Sequence, residues 1–181
     1  MVTEPPPEGG VVELAEARVQ RVVATGARVT RADLVDCELV SCDLAGLRAP
    51  GSRLRRVAVS GGRFSGAQLG ESELLDVVVR DCRADLVSLH RARLERVRFV
   101  GCDLREADLM ELRADAVVFD GCDLSGAVLS GARLRRAELR GCTIAGLEGV
   151  DALRGVSMPY ADALGAVEVL AGALGIRLTG D

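Results

Sequence analysis

From residue 12 to residue 151 a bulky apolar residue returns every fifth position without an insertion. Gly101-Cys102-Asp103-Leu104-Arg105, Glu106-Ala107-Asp108-Leu109-Met110 and Gly121-Cys122-Asp123-Leu124-Ser125 show the unit. The bulky residue sits at its centre, and a small one, Cys102, Ala107 or Cys122, precedes it by two places. A helix turns each fifth residue through about 500°, which smears such a set around its whole surface. A strand alternates faces, so an odd spacing sends successive leucines to opposite sides. A strict internal period of this kind therefore points to a solenoid rather than to conventional elements.

The departures from the pattern support the register. Where the small slot is large, at Leu47, Leu112 and Leu147, the centre of the same unit shrinks to Ala49, Ala114 and Gly149. Two inward side chains sharing one cross-section can exchange volume at constant total, which cores tolerate far better than a net change.

These units resemble the pentapeptide repeat family, whose consensus is a small residue, a polar one, Leu or Phe, and two more polar or small residues. The resemblance implies an all-β solenoid: a right-handed quadrilateral parallel β-helix in which four units make one square coil and both slots point inward. It implies about seven coils, residues twenty apart stacked on one another, and a rod of roughly 30–35 Å at ~4.8 Å per coil. The expected organisation is a flexible tail over residues 1–11, the array over 12–151, and a C-terminal capping and dimerisation helix over 152–181.

Composition narrows the chemistry. Hydrophobic residues make up 49% of the 181 and aromatics only 2%, so the core is aliphatic and thin. No run reaches the ~20 apolar residues of a membrane span, and Met1–Gly10 lacks the basic and apolar regions of a signal peptide. The expected setting is the cytoplasm, with no membrane contact. Cys42, Cys82, Cys102, Cys122 and Cys142 lie at multiples of twenty, with Gly62 on the missing rung and Cys37 on the neighbouring face. Each shares a slot with Ala, Ser or Val, so the cysteines read as buried thiols rather than as a disulfide framework or zinc site. The single histidine, His90, falls in an outward slot. No catalytic constellation, metal site or cofactor motif emerges, and the chain reads as a non-catalytic interaction module or scaffold.

Charge bears on the partner. Family members that confer quinolone resistance are thought to mimic the negative charge of duplex DNA and so occupy DNA gyrase; that alternative role requires an acidic rod. The four faces of this array instead carry +1, +1, −2 and −1, which leaves −1 of the chain's −4. Direct nucleic-acid binding is not expected, because the basic cluster Arg133, Arg135, Arg136 and Arg140 has no interleaved aromatics and the pI is about 5.2. Ala58, Val78 and Val118, flanked by Val40 and Val100, place apolar residues in outward slots of the second face and mark a candidate partner face.

Beyond Val150 the period changes. Pro159 opens and Gly175 closes an Ala- and Leu-rich stretch, the signature of a helix. Leu164, Ala171 and Leu174 would cover the last coil, while Tyr160, Ala163, Val167 and Leu170 form a second stripe expected to pair in a homodimer.

Overall fold

The computed structural model describes residues 9–179, so most of the expected tail, residues 1–8, lies outside it. Val11 already opens the first strand, and the Gly9 N–H donates to Arg28 O at 2.7 Å. The strands are β1 (Val11–Ala15), β2 (Arg18–Gln20), β3 (Arg31–Val35), β4 (Glu38–Val40), β5 (Arg53–Ser60), β6 (Glu73–Arg80), β7 (Arg93–Val100), β8 (Arg113–Asp115), β9 (Val118–Asp120), β10 (Arg133–Arg135) and β11 (Glu138–Arg140).

All pairings between these strands are parallel and advance by twenty residues. One ladder runs β1-β3-β5-β6-β7-β8-β10, and a second joins β2, β4, the second halves of β5, β6 and β7, then β9 and β11. Single bridges build the other two sides, from Val23 through Asp43, Arg63, Arg83, Asp103 and Asp123 to Thr143, and from Arg28 through Arg48, Gln68, Ser88, Asp108 and Val128 to Glu148. The product is a four-sided β-solenoid with seven rungs on each side. Each edge is too short to bury a face of its own, so stability comes from stacking on the neighbouring turn.

The inward slots fill the tube. Leu104, Leu109, Leu112, Val57, Val77, Val97 and Val117 are fully buried. Phe99 and Phe119, one rung apart, stack with centroids 5.2 Å apart and planes at 7°. Leu112 and Ala114 are both buried, as the exchange of volume within one cross-section requires.

The corners cost backbone strain. The residue before most small slots takes positive φ, at Gly101 and Gly121 but also at Asp36, Arg56, Asp76, Arg96 and Arg136. For a residue with a Cβ that conformation costs roughly 1–2 kcal/mol, and the stacking of the turns offsets it.

Small polar side chains in the inward slots serve the backbone. The N–H of Ala32 donates to Ser52 Oγ at 2.9 Å, that of Ser52 to Ser72 Oγ at 3.0 Å, and that of Gly62 to Cys82 Sγ at 3.4 Å. The thiols donate in turn to carbonyls, Cys37 to Val35 O at 3.2 Å and Cys82 to Arg80 O at 3.1 Å. Serine and cysteine thus satisfy polar backbone atoms that alanine would leave to weaker partners. All six cysteines are free thiols, and only Cys142, near the C-terminal end, is partly exposed. Contact with the Cys102 thiol, together with burial, holds Cys82 and Cys122 above the usual thiol range. A thiol reagent is therefore expected to modify Cys142 first and the other five only on unfolding. Rapid labelling of all six in the native state would show that the column is not closed.

Past the array a 3-10 turn, Val150–Leu153, buries Ala152 and Leu153 over the last coil. Ser157 then pairs with β11 nineteen residues after Glu138, donating to Ala137 O at 3.0 Å and accepting from Leu139 N–H at 2.9 Å. The expected single helix is two, α1 (Tyr160–Gly165) and α2 (Val167–Ala173), separated at Ala166 with φ −96° and ψ 0°.

Candidate interaction surfaces

The second face carries the apolar outward residues in two columns. Register places Arg18, Glu38, Ala58, Val78, Arg98, Val118 and Glu138 in one, and Gln20, Val40, Ser60, Arg80, Val100, Asp120 and Arg140 in the other. Ala58 and Val78 are therefore direct neighbours, whereas Arg98 separates Val78 from Val118, and Ser60 and Arg80 separate Val40 from Val100. Ala58 is exposed and the four valines are half-buried. The five residues share a face without forming one continuous patch.

Charged residues are paired along the rod. Arg56 donates to both oxygens of Asp36, at 2.5 and 2.6 Å. Arg96 grips Asp76 at 2.6 and 3.0 Å and also meets Glu95. Arg91 holds Glu111 at 3.0 and 3.2 Å, and Arg136 holds Asp115 at 2.7 Å. These guanidinium hydrogen bonds lower the carboxyl pKa of Asp36, Asp76, Glu111 and Asp115. A carboxyl so depressed contributes stability above its ordinary value and loses it as pH falls through the lowered one. All four remain open to solvent, so each pair adds little; their consequence is that the acidic residues do not form a bare anionic strip.

Ser88, His90 and Asp108 come together on the fourth face, a cluster that sequence reasoning missed although the spacing of twenty between Ser88 and Asp108 signals it. Ser88 Oγ donates to Asp108 Oδ2 at 2.9 Å, while His90 Nδ1 lies 4.0 Å from Asp108 Oδ1. Nucleophile activation needs the hydroxyl bonded to the imidazole and the imidazole to the carboxylate; here the hydroxyl is bonded to the carboxylate instead. Among the described residues no group of three His, Cys, Asp or Glu side chains is arranged to hold a metal.

At the C-terminal end Ala166 and Ala171 are buried, and Val156, Met158, Val169 and Leu170 pack against the core. Asp162, another residue that the sequence did not single out, accepts the Gly141 N–H at 2.5 Å and ties α1 to a corner of the last turn. Tyr160, Leu164 and Val167 are 80%, 57% and 40% exposed, and Leu174, Ile176 and Leu178 are also exposed. Of the stripe expected to cover the coil, only Ala171 is buried; Leu164 and Leu174 are exposed, because the break at Ala166 interrupts the phase of the helix. Of the second stripe, Tyr160 and Val167 are exposed, while Ala163 and Leu170 are half-buried.

The sequence profile of pentapeptide repeats matches residues 88–113 and 115–146 in eight copies. The matched segments of this chain are repeats of the pentapeptide repeat family. Among solved structures, HetL, a pentapeptide repeat protein involved in heterocyst differentiation regulation from the cyanobacterium Nostoc sp. strain PCC 7120, is 19% identical over 83% of this chain and 89% of its own, with a TM-score of 0.51. A trypsin-treated variant of QnrB1, a plasmid-mediated fluoroquinolone resistance protein, is 18% identical over 96% of this chain and 100% of its own, with a TM-score of 0.44. At these identities the likeness concerns the fold alone. No curated protein sequence matches this chain. No helix among the described residues is long and apolar enough to cross a membrane.

Proposed function

We propose that this pentapeptide repeat protein is a non-catalytic interaction module of the cytoplasm that works as a homodimer joined through its C-terminal helices. The observation that carries this reading is the exposed apolar stripe Tyr160–Leu164–Val167 on α1 and the start of α2. A self-complementary apolar stripe closes under a twofold axis and needs no second gene product. Ala163 and Leu170 flank it and double as supports of the cap. The functional parts are then the tail ahead of β1, the array that β1 opens, and the capping and dimerisation segment 152–181. Within the array, Ala58 and Val78, with Val40, Val100 and Val118 around them, offer a protein partner apolar contacts spaced by arginines.

Val167→Asp tests the dimer. A charge placed in the centre of a dehydrated contact weakens association by roughly a hundredfold or more, so sedimentation at tens of micromolar is expected to show a dimeric wild type and a monomeric variant with an unchanged β signal. A monomeric wild type would remove the dimer from this reading.

The alternative, a DNA-mimicking binder of DNA gyrase, demands a continuous acidic surface. The guanidinium pairs on Asp36, Asp76, Glu111 and Asp115 argue against it. Purified protein is accordingly expected to leave gyrase supercoiling unaffected, and potent, salt-sensitive inhibition would favour the alternative.

A further inference from the structure

The tube is filled unevenly along its length. The eight inward side chains of the first turn, residues 12–29, hold 19 heavy atoms, against 26 in the fifth turn, residues 92–109. At the four centre slots the first turn has Leu14, Val19, Ala24 and Val29, where the fifth has Leu94, Phe99, Leu104 and Leu109. Burial follows this difference. Every inward residue of the fifth turn is buried, but Leu54, Phe64 and Leu69 remain half-buried although two complete turns lie between them and the N-terminal end. A cavity of about 450 Å³ accounts for this: it enters at the first turn between Leu14, Val19 and Val29 and is lined further in by Leu44, Phe64 and Leu69.

Phe64 would be the natural plug, and it is turned aside. A Cβ on Gly62 would lie 2.6 Å from Phe64 Cε2, so the ring leans on the wall at the one rung where the thiol column lacks its cysteine. The opposite end of the rod is treated differently, since Leu153 and Ala166 bury themselves over the last turn.

We infer that this lumen binds a neutral, unbranched alkyl chain entering from the N-terminal end. Its walls are aliphatic and aromatic carbon, and an apolar cavity of this kind excludes ordered water and accepts apolar guests. Its volume lies within the range of small-molecule sites. The long axis follows the rod for about two rung spacings, roughly 10 Å, which suits a slender chain rather than a fused ring. Among the described lining residues Glu13 is the only ionisable one, so no basic side chain of the lining pairs with an anionic head, and a neutral head is preferred to an acid.

Calorimetric titration with 1-octanol, 1-nonanol and 1-decanol is expected to show saturable binding that strengthens about fourfold per added methylene, with decanoate weaker than decanol at pH 7. Val19→Phe with Val29→Leu fills the mouth with residues that the same slots hold at Phe99 and Leu89, and is expected to abolish binding while preserving the β signal. Equal binding by this folded double variant overturns the inference, as does the absence of saturable binding by the wild type. A third arm needs no variant. Tyr160, the only tyrosine in a chain without tryptophan, sits at the far end, so saturating 11-bromo-1-undecanol is expected to leave its fluorescence unchanged. Saturable quenching of Tyr160 would place the chain on the C-terminal helices and overturn the lumen assignment.

Discussion

Leu112→Ala is expected to destabilise the protein by about 2–5 kcal/mol, and adding Ala114→Leu to it to restore most of that loss. Leu112 is completely buried, Ala114 is nearly so, and the two inward slots lie two residues apart in one cross-section. Removing Leu112 leaves small residues in both slots, and the rungs above and below, fixed by parallel pairing to β7 and β10, cannot collapse into the space. Ala114→Leu alone introduces the opposite fault and is expected to cost about 1–3 kcal/mol by overpacking. The double variant restores the total volume and reproduces the arrangement of most other units. Chemical denaturation of the four proteins measures the coupling; additive losses would show that the two slots do not share space. At Leu47 and Ala49, which sequence alone reads the same way, the lumen lies alongside, so Ala49→Leu is expected to cost less than Ala114→Leu.

Gly149→Ala is the second large effect. Gly149 has φ +71°, and a Cβ there would fall 2.4 Å from Ser130 N and 2.6 Å from Leu129 C. Those are backbone atoms of the preceding rung and cannot swing away as a side chain could. The left-handed conformation alone costs about 1–2 kcal/mol for alanine, and the collision adds an overpacking cost of about 1–3 kcal/mol. Gly51→Ala is the matched control, since Gly51 has φ +62° but meets nothing within 4 Å; only the conformational part is expected there. Equal midpoints for the two variants in denaturant would show that the close approach at Gly149 carries no penalty.

The candidate surfaces were legible to different depths. Val40, Ala58, Val78, Val100 and Val118 could be assigned to one face by counting in twenties, and the arginine–carboxylate pairs such as Arg56–Asp36 follow from the same count. The Ser88–Asp108 contact obeys it too, but hydroxyl and carboxylate in outward slots carry no distinguishing signal of their own. Asp162 could not be found in this way. Its partner Gly141 lies across the end of the array, and the turn and helices between them follow no repeat.

What the sequence determined by itself is the repeating part: the five-residue period, the inward slots, the twenty-residue register and the exchange of volume between Leu112 and Ala114. A β-solenoid is close to one-dimensional, so each unit answers mainly to its neighbours one turn away, and that relation is a fixed offset in the chain. What only the tertiary structure decided lies at the two ends, where the offset has no partner. At the C-terminal end the break at Ala166 set which side of the helices meets the core, exposing Leu164 and Leu174 and burying Ala171. At the N-terminal end the lumen arose from the summed deficit of several small side chains and the sideways turn of Phe64, a property of volume across three turns that no single unit displays.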